Sequence, residues 1–455
     1  MKSDDLRRAI GEIDDDLIEN ADKKPGSNAR RNLKKWGMIA AALLLVVAAI
    51  FPLGIRLFKQ NTVETFTAGD LMEGIVPRVR SDAPTAVSND DATAATDFAL
   101  RLFREAYDGD NTLISPLSAM LALAMAANGA GGETLRQMEA VFGMTRDELN
   151  EFFYAFRAGL SQGEKYKLSL ADSIWLRDDF KVEQAFLQAN ADTYGADAYR
   201  APFNETTLEK INDWVCEKTD GMIPELLNEL SPDSVAILIN ALAFDAEWQY
   251  PFASDATASG KFTKENGRTV DVDYMTGTEY GACYLYDDRA QGLFKRYAGG
   301  KYAFVALLPN EGISVSEYLA SLDGETLRTL LTRRSSPELH VTLPKYDVAY
   351  ETELSSVLKG MGMTDAFGYD ADFSGLGTTA SGDKVYIGRV LQKTFLSLTE
   401  KGTRAGAATA VDMWALAVAP PPVVTLRFDR PFVYMLVDCE TDLPLFIGVL
   451  NDPTR

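Results

Sequence analysis

The chain has 455 residues, 46% hydrophobic and 24% charged, which supports a large core and excludes disorder throughout. Its formal net charge is −21, and the excess lies beyond residue 35, because the first 35 residues hold nearly equal numbers of basic and acidic side chains. Such a surface repels nucleic acid phosphates, so no nucleic-acid partner is expected.

From the amino terminus, residues 1–35 read as a cytoplasmic segment, and "WGMIAAALLLVVAAIFPLGI" (36–55) carries no charge. At about 1.5 Å per residue this run reaches ~30 Å, the thickness of a bilayer core, and predicts a transmembrane signal anchor. Lys23, Lys24, Arg30, Arg31, Lys34 and Lys35 precede it, against Arg56 and Lys59 after it, so the bulk of the chain is expected outside the cell. The competing reading is a cleaved signal peptide, which would release a secreted protein. Residues 56–91 lack periodicity and end in a small, polar run, predicting a linker of about 30–36 Å mean span.

Residues 92–455 read as one domain of mixed α and β structure. "ATDFALRLFREAY", "SPLSAMLALAMAANGA" and "TLEKINDWVCEKT" have helical spacing. "KLSLADSIWL", "YAFVALLP", "ELHVTLPKYDV", "VTLRFD" and "FVYMLVD" read as strands.

Little in this region carries catalytic chemistry. Cys216, Cys283 and Cys439 are odd in number and widely spaced, fitting buried free thiols and neither a disulfide framework nor a zinc pattern. His340 is the sole histidine, so any Ser-His-Asp, Cys-His or multi-histidine metal site must use it or be absent. It alternates with Leu339, Val341 and Leu343, the place of a polar-face strand residue. "NGAGGET" (128–134) lacks the Gly-Lys-Ser/Thr ending of a phosphate loop and reads as a turn between helices. "DADFSG" (370–375) begins like a calcium loop but has Ser381 where the bidentate glutamate should stand. Scattered acidic pairs cannot be told from a solvated surface. No cofactor or metal is expected, and the enzyme reading gains no support.

"TEKGTRAGAATAVDMWALAVAPPPVV", from Thr399, is the unusual stretch. As a helix it has two glycines costing about 1 kcal/mol each and no apolar stripe before Val411. Read with period two, Thr403, Ala405, Ala407, Thr409, Val411 and Met413 share one uncharged face. Arg404, Gly406, Ala408, Ala410, Asp412 and Trp414 share the other. Such a segment suits entry into a sheet as a central strand, its small side chains offering little steric resistance.

At this point the sequence resembles the serpin family over nearly all of 92–455. "EKGTRAGAATA" is similar to the serpin hinge, and "LRFDRPFVYML" (426–436) to the signature after the reactive loop. "NALAFDAEWQYPF", "VLQKTFLSLTEKGT" and "LPLFIGVLNDP" are among further matches in order. The resemblance implies an α+β fold of three sheets and about nine helices with an exposed reactive-centre loop. It also implies a mechanism. A protease attacks the loop and acylates, and the cut loop then enters the central sheet as a new strand, distorting the trapped enzyme. About a dozen new backbone hydrogen bonds, at about 0.5–1.5 kcal/mol each, would supply ~6–18 kcal/mol.

Family spacing from Glu400 puts the reactive bond between Leu416 and Ala417, with Met413, Trp414, Ala415 and Val418 in the protease-contacting loop. The hinge is Glu400, Gly402, Thr403, Ala405, Ala407 and Ala408. An apolar, small-residue bait suits chymotrypsin-like, elastase-like or subtilisin-like serine proteases with apolar S1 pockets and not a trypsin-like one. A shift of one residue to Ala415 or Ala417 stays open. Carried over to the sheet-opening region are Ser115, Ser118 and Asn240 at the gate, Trp248 at the upper opening, and Lys345 as a partner for Glu400. Two positions depart from the family pattern: Gln392 stands where many serpins have histidine, and Arg404 replaces the usual hinge glutamate.

The expectation is therefore a monomeric, membrane-tethered serpin at a bacterial cell surface, an irreversible inhibitor that is consumed and not an enzyme. The alternatives are a non-inhibitory serpin acting as a binding protein, and a cross-class inhibitor of papain-like cysteine proteases. A membrane-bound hydrolase is a third reading, which the single histidine disfavours.

Overall fold

The structure is a computed structural model that describes residues 69–78, 86–160, 163–231, 234–279, 281–379, 382, 384–403 and 422–455. The apolar run 36–55 and residues Arg404 to Pro421, read above as the reactive loop, lie outside the described residues. Among the described residues no helix is long and apolar enough to cross a membrane.

Helix Asn89–Ala106 begins where Ser88 accepts from the Asp91 amide, with Asp90 and Asp91 complementing the positive end of the helix dipole. Its face of Ala95, Phe98, Ala99, Leu102 and Phe103 recurs at three and four residues and is buried. Pro-started helix Pro116–Ala127 is buried on every side, as its uninterrupted run of apolar and small residues requires. Helix Arg146–Gly159 opens on a capping box between Thr145 and Glu148. The described residues hold nine α-helices in all.

Three sheets organise the core. The largest has seven strands, including Asp197–Ala201, Tyr166–Arg177, Ala236–Glu247, Gly402–Thr403, Leu391–Thr399 and Tyr346–Glu353 in that spatial order. A six-stranded sheet centres on Tyr302–Pro309, Phe432–Asp438 and Pro444–Leu450, all buried throughout. Strands hidden on both faces read as unbroken apolar runs, as these do. A four-stranded sheet joins Val423–Arg427, Glu338–Pro344, Thr269–Glu279 and Thr257–Thr263. Gly377–Thr379 and Phe180–Val182 form a separate two-stranded pair.

The expected elements recur with small changes. "ELHVTLPKYDV" is two strands and not one: Glu338–Pro344 belongs to the four-stranded sheet and Tyr346–Glu353 to the central sheet, with Lys345 at the crossing. Pro344 has no amide proton to extend the first ladder. The stretch read as a linker is not all tether. Gly69–Asp70 pairs with Arg200 and Tyr199 at the edge of the central sheet, and the Arg78 guanidinium meets Asp192 at 2.9 Å. Leu71, Met72 and Ile75 pack against the core, and their isolated apolar character within a polar run is the signal the linker reading passed over.

Cys283 is buried, Cys216 and Cys439 are half-buried, and all three are free thiols. His340 is an exposed strand residue bonded to Glu338 at 2.9 Å.

One close approach decides packing in the six-stranded sheet. Gly448 faces Tyr434 across the ladder, and a Cβ there would lie 2.2 Å from the ring. Gly448→Ala should therefore cost about 1–3 kcal/mol through overpacking. The check is thermal melting, where Gly448→Ala should melt lower and Gly448→Ala/Tyr434→Leu should recover part of the loss; an unchanged single variant would refute the contact.

Candidate functional site

The hinge enters the central sheet between two long strands. Gly402 and Thr403 pair antiparallel with Glu247 and Ala246 on one side and with Thr399 and Leu398 on the other. Only glycine fits first: Gly402 has φ +150°, and a Cβ would lie 2.0 Å from the Ala246 carbonyl oxygen. Thr403 is buried, and its hydroxyl shares a 2.5 Å hydrogen bond with the Tyr297 hydroxyl.

Four residues hold the turn before it. Trp248 donates from Nε1 to the Thr399 carbonyl at 3.0 Å, and its amide to the Lys401 carbonyl at 2.8 Å. The Phe252 amide takes the Glu400 carbonyl at 2.9 Å. Glu400 accepts from Thr257 at 2.7 Å and from the Lys345 ammonium at 3.0 Å. Partial burial opposes the Glu400 charge, but the hydrogen bonds from Thr257 and Lys345 outweigh it and hold the carboxyl below its ordinary range.

Beneath the turn lies an arrangement that sequence reading missed. Trp248 stacks on Tyr297 at 4.4 Å between ring centres. The Lys295 ammonium sits 5.3 Å from the Trp248 ring and 4.5 Å from the Phe252 ring, donates to the Tyr250 carbonyl at 2.7 Å, and pairs with Glu279. Both members of that ion pair are buried. Burial lowers the Lys295 pKa and Glu279 opposes the shift. The signal was present in "GLFKRY", where a lysine shares the Leu293 and Tyr297 side of a strand.

Lower in the sheet, Gln392 clamps Ser115 at two points. The Ser115 amide donates to Gln392 Oε1 and Gln392 Nε2 donates to the Ser115 carbonyl, both at 2.8 Å. Gln392 thus supplies both a donor and an acceptor to one backbone residue. The Ser115 hydroxyl donates to the Leu445 carbonyl at 2.7 Å, whereas the buried Ser118 hydroxyl has no partner among the described residues. Asn240 and Gln392 line one small enclosed gap with Leu238 and Leu391. Asn240 donates to Asp172, a buried carboxyl that sequence reading also missed although it interrupts the apolar face of Leu168, Leu170 and Ile174.

Of the expected site residues, the structure brings Glu400, Gly402, Thr403, Trp248 and Lys345 together, and Ser115, Asn240 and Gln392 into a second group. Ser118 is buried on the neighbouring helix Pro116–Ala127. Ala405, Ala407, Ala408, Met413, Trp414, Ala415, Leu416, Ala417 and Val418 lie outside the described residues. The chain resumes in the four-stranded sheet, where Val423–Arg427 runs parallel to Glu338–Pro344. Among the described residues no group of three potential metal ligands occurs.

Comparison with known proteins fits this geometry. The sequence profile of the family described as serpin, serine protease inhibitor, matches residues 93–453. Rat (Rattus norvegicus) alpha-1-antiproteinase is 28% identical over 424 residues, covering 90% of this chain and 98% of its own. The crystal structure of the thermophilic serpin tengpin in its native state is 40% identical and superposes with a TM-score of 0.80, covering 85% of this chain and all of tengpin. Tengpin in its latent state gives 0.71, with 81% and 99% covered. The chain belongs to the serpin family.

The hinge ion pair makes a pH-dependent prediction. Glu400→Gln should lower stability at pH 7 by about 0.5–1 kcal/mol, modest because Lys345 is half-exposed. A carboxyl held below its unfolded pKa of 4.5 contributes above that pH and loses the contribution as pH falls through its lower folded value. Melting temperatures of wild type and Glu400→Gln should therefore differ at pH 7 and draw together as pH falls below 4.5; a gap that does not narrow in acid would refute the ion pair.

Proposed function

We propose that this serpin irreversibly inhibits serine proteases by the cleavage and insertion of its reactive loop. The observation that carries the reading is the register of Gly402 and Thr403. Counting on from Thr403 opposite Ala246 and Leu398 sets Ala405 by Phe244 and Leu396, Ala407 by Leu242 and Thr394, and Thr409 by Asn240 and Gln392. Small apolar residues would thus meet the packed face, and the one polar residue of that stretch would meet the two polar gate side chains. On the opposite face Arg404 would come beside Asp245, so the departure from the usual hinge glutamate falls opposite a carboxylate. A segment that continues an existing ladder this well supports insertion of the severed loop.

Leu416 is proposed as the recognition residue with Ala417 on the leaving side, flanked by Met413, Trp414, Ala415 and Val418. Ser115, Ser118, Asn240, Gln392, Trp248 and Lys345 are proposed to control opening of the sheet. Targets are serine proteases with apolar S1 pockets, chymotrypsin-like, elastase-like or subtilisin-like. The protein is proposed to act as a monomer. Residues 36–55 are proposed to anchor it in the cell membrane with the serpin domain extracytoplasmic, joined by a tether that ends before the edge strand at Gly69.

Incubation with chymotrypsin, pancreatic elastase and subtilisin should give a complex that survives denaturant, with a released carboxy-terminal peptide beginning at Ala417. Leu416→Arg should move inhibition to trypsin-like enzymes. Complete cleavage with full recovery of protease activity would refute inhibition and leave a binding role; a stable complex with papain alone would indicate cysteine proteases.

A further inference from the structure

One buried pair in the central sheet is unbalanced. Asp172 and Asn240 are direct neighbours on strands Tyr166–Arg177 and Ala236–Glu247. They are 6% and 5% exposed. Asn240 donates from Nδ2 to Asp172 Oδ1, but Asn240 Oδ1 is buried with no donor among the described residues. An ionised carboxylate only accepts, so in that state the Asn240 carbonyl is orphaned. A protonated Asp172 can return a hydrogen bond to it, closing a cyclic acid–amide pair with both partners satisfied and no buried charge.

We propose that Asp172 and Asn240 form a proton-operated latch in the central sheet: proton uptake by Asp172 engages Asn240, and proton loss frees the Asn240 carbonyl toward the gap it shares with Gln392. The groups around Asp172 permit this. Arg157, on helix Arg146–Gly159, favours the carboxylate, and Asp197, on the adjoining strand Asp197–Ala201, disfavours it. Asp197 is itself held by Lys218 at 2.9 Å and Trp214 at 3.1 Å. Tyr194, on helix Gln184–Tyr194, is raised well above its ordinary value by burial and stays neutral. For Asp172 burial dominates over the Arg157 charge and the Asn240 bond, pushing the carboxyl up to about 7.

The sign follows from linkage. The unfolded carboxyl, at 3.8, has lost its proton where the native one still holds it, so this group's stabilisation is full below pH 3.8 and is lost as pH rises through about 7. The consequence for the loop rests on the insertion reading above. Thr409, counted into register beside Asn240, would offer its hydroxyl to the freed carbonyl, so insertion gains at pH 8 a hydrogen bond that the latch pre-empts at pH 6.

Asp172→Asn tests this, because its amide can both accept from Asn240 Nδ2 and donate to Asn240 Oδ1, fixing the latched pattern at every pH. Infrared difference spectra of the full chain between pH 6 and pH 8 should show loss of a protonated-carboxyl band in wild type that Asp172→Asn lacks. This group should favour the folded wild type by roughly tenfold more at pH 6 than at pH 8, so wild type should lose more melting temperature over that interval than Asp172→Asn. His340 is present in both proteins and cancels. Uptake of a synthetic peptide of residues 403–415 should be faster at pH 8 than at pH 6 in wild type, by up to about tenfold, and independent of pH in Asp172→Asn. The band persisting in Asp172→Asn, or equal pH dependence of melting in both proteins, overturns the latch. If band and melting behave as expected while neither protein takes up peptide at either pH, the latch stands and the insertion reading fails.

Discussion

The controlling constraint is the pairing of Gly402 and Thr403 between two long strands of the central sheet. Gly402 and Thr403 pair on both sides, while Ala236–Glu247 and Leu391–Thr399 run on well beyond them. Backbone amides and carbonyls in a sheet interior need partners, and a strand that starts in register defines how more of it would pair. The glycine is what makes the start feasible, since any side chain at 402 would meet the Ala246 carbonyl.

The surroundings grip that start. Trp248, Phe252, Lys345 and Thr257 all grip residues 399–401, before the strand, and Tyr297 grips Thr403 at its beginning. The far end is held independently, because Val423–Arg427 is stitched parallel to Glu338–Pro344 and the Glu338 amide bonds the Pro422 carbonyl at 3.2 Å. Residues 404–421 thus connect two different sheets, and a cut between them would separate a segment continuous with the central sheet from one built into the four-stranded sheet. The buried Lys295–Glu279 pair under Trp248 is poor evidence of extra stability, since desolvation offsets much of its attraction, but it fixes where the indole and the Tyr250 carbonyl lie.

Most of the fold was legible in sequence because its periodicities are clean. Buried strands such as Tyr302–Pro309 and Phe432–Asp438 are unbroken apolar runs, and helix Asn89–Ala106 carries its cap and stripe openly. Of the hinge, the strand start at Gly402–Thr403 is where the period-two pattern begins; the residues that follow lie outside the described ones. Less legible were features made by partners far apart in sequence. Asp172 and Lys295 each interrupt an apolar strand face, but what they meet, Asn240 and Glu279, depends on strand order that no local pattern encodes. The edge strand at Gly69 was hidden because two residues of pairing leave no periodicity to read.

The most direct test is the melting temperature of the protein cut at or beside the Leu416–Ala417 bond by a protease that escapes inhibition, compared with the intact chain under the same conditions. A severed loop that completes the strand begun at Gly402 should raise the melting temperature markedly. If the nicked protein melts at or below the intact one, the position beside Gly402 is not a seat for the loop.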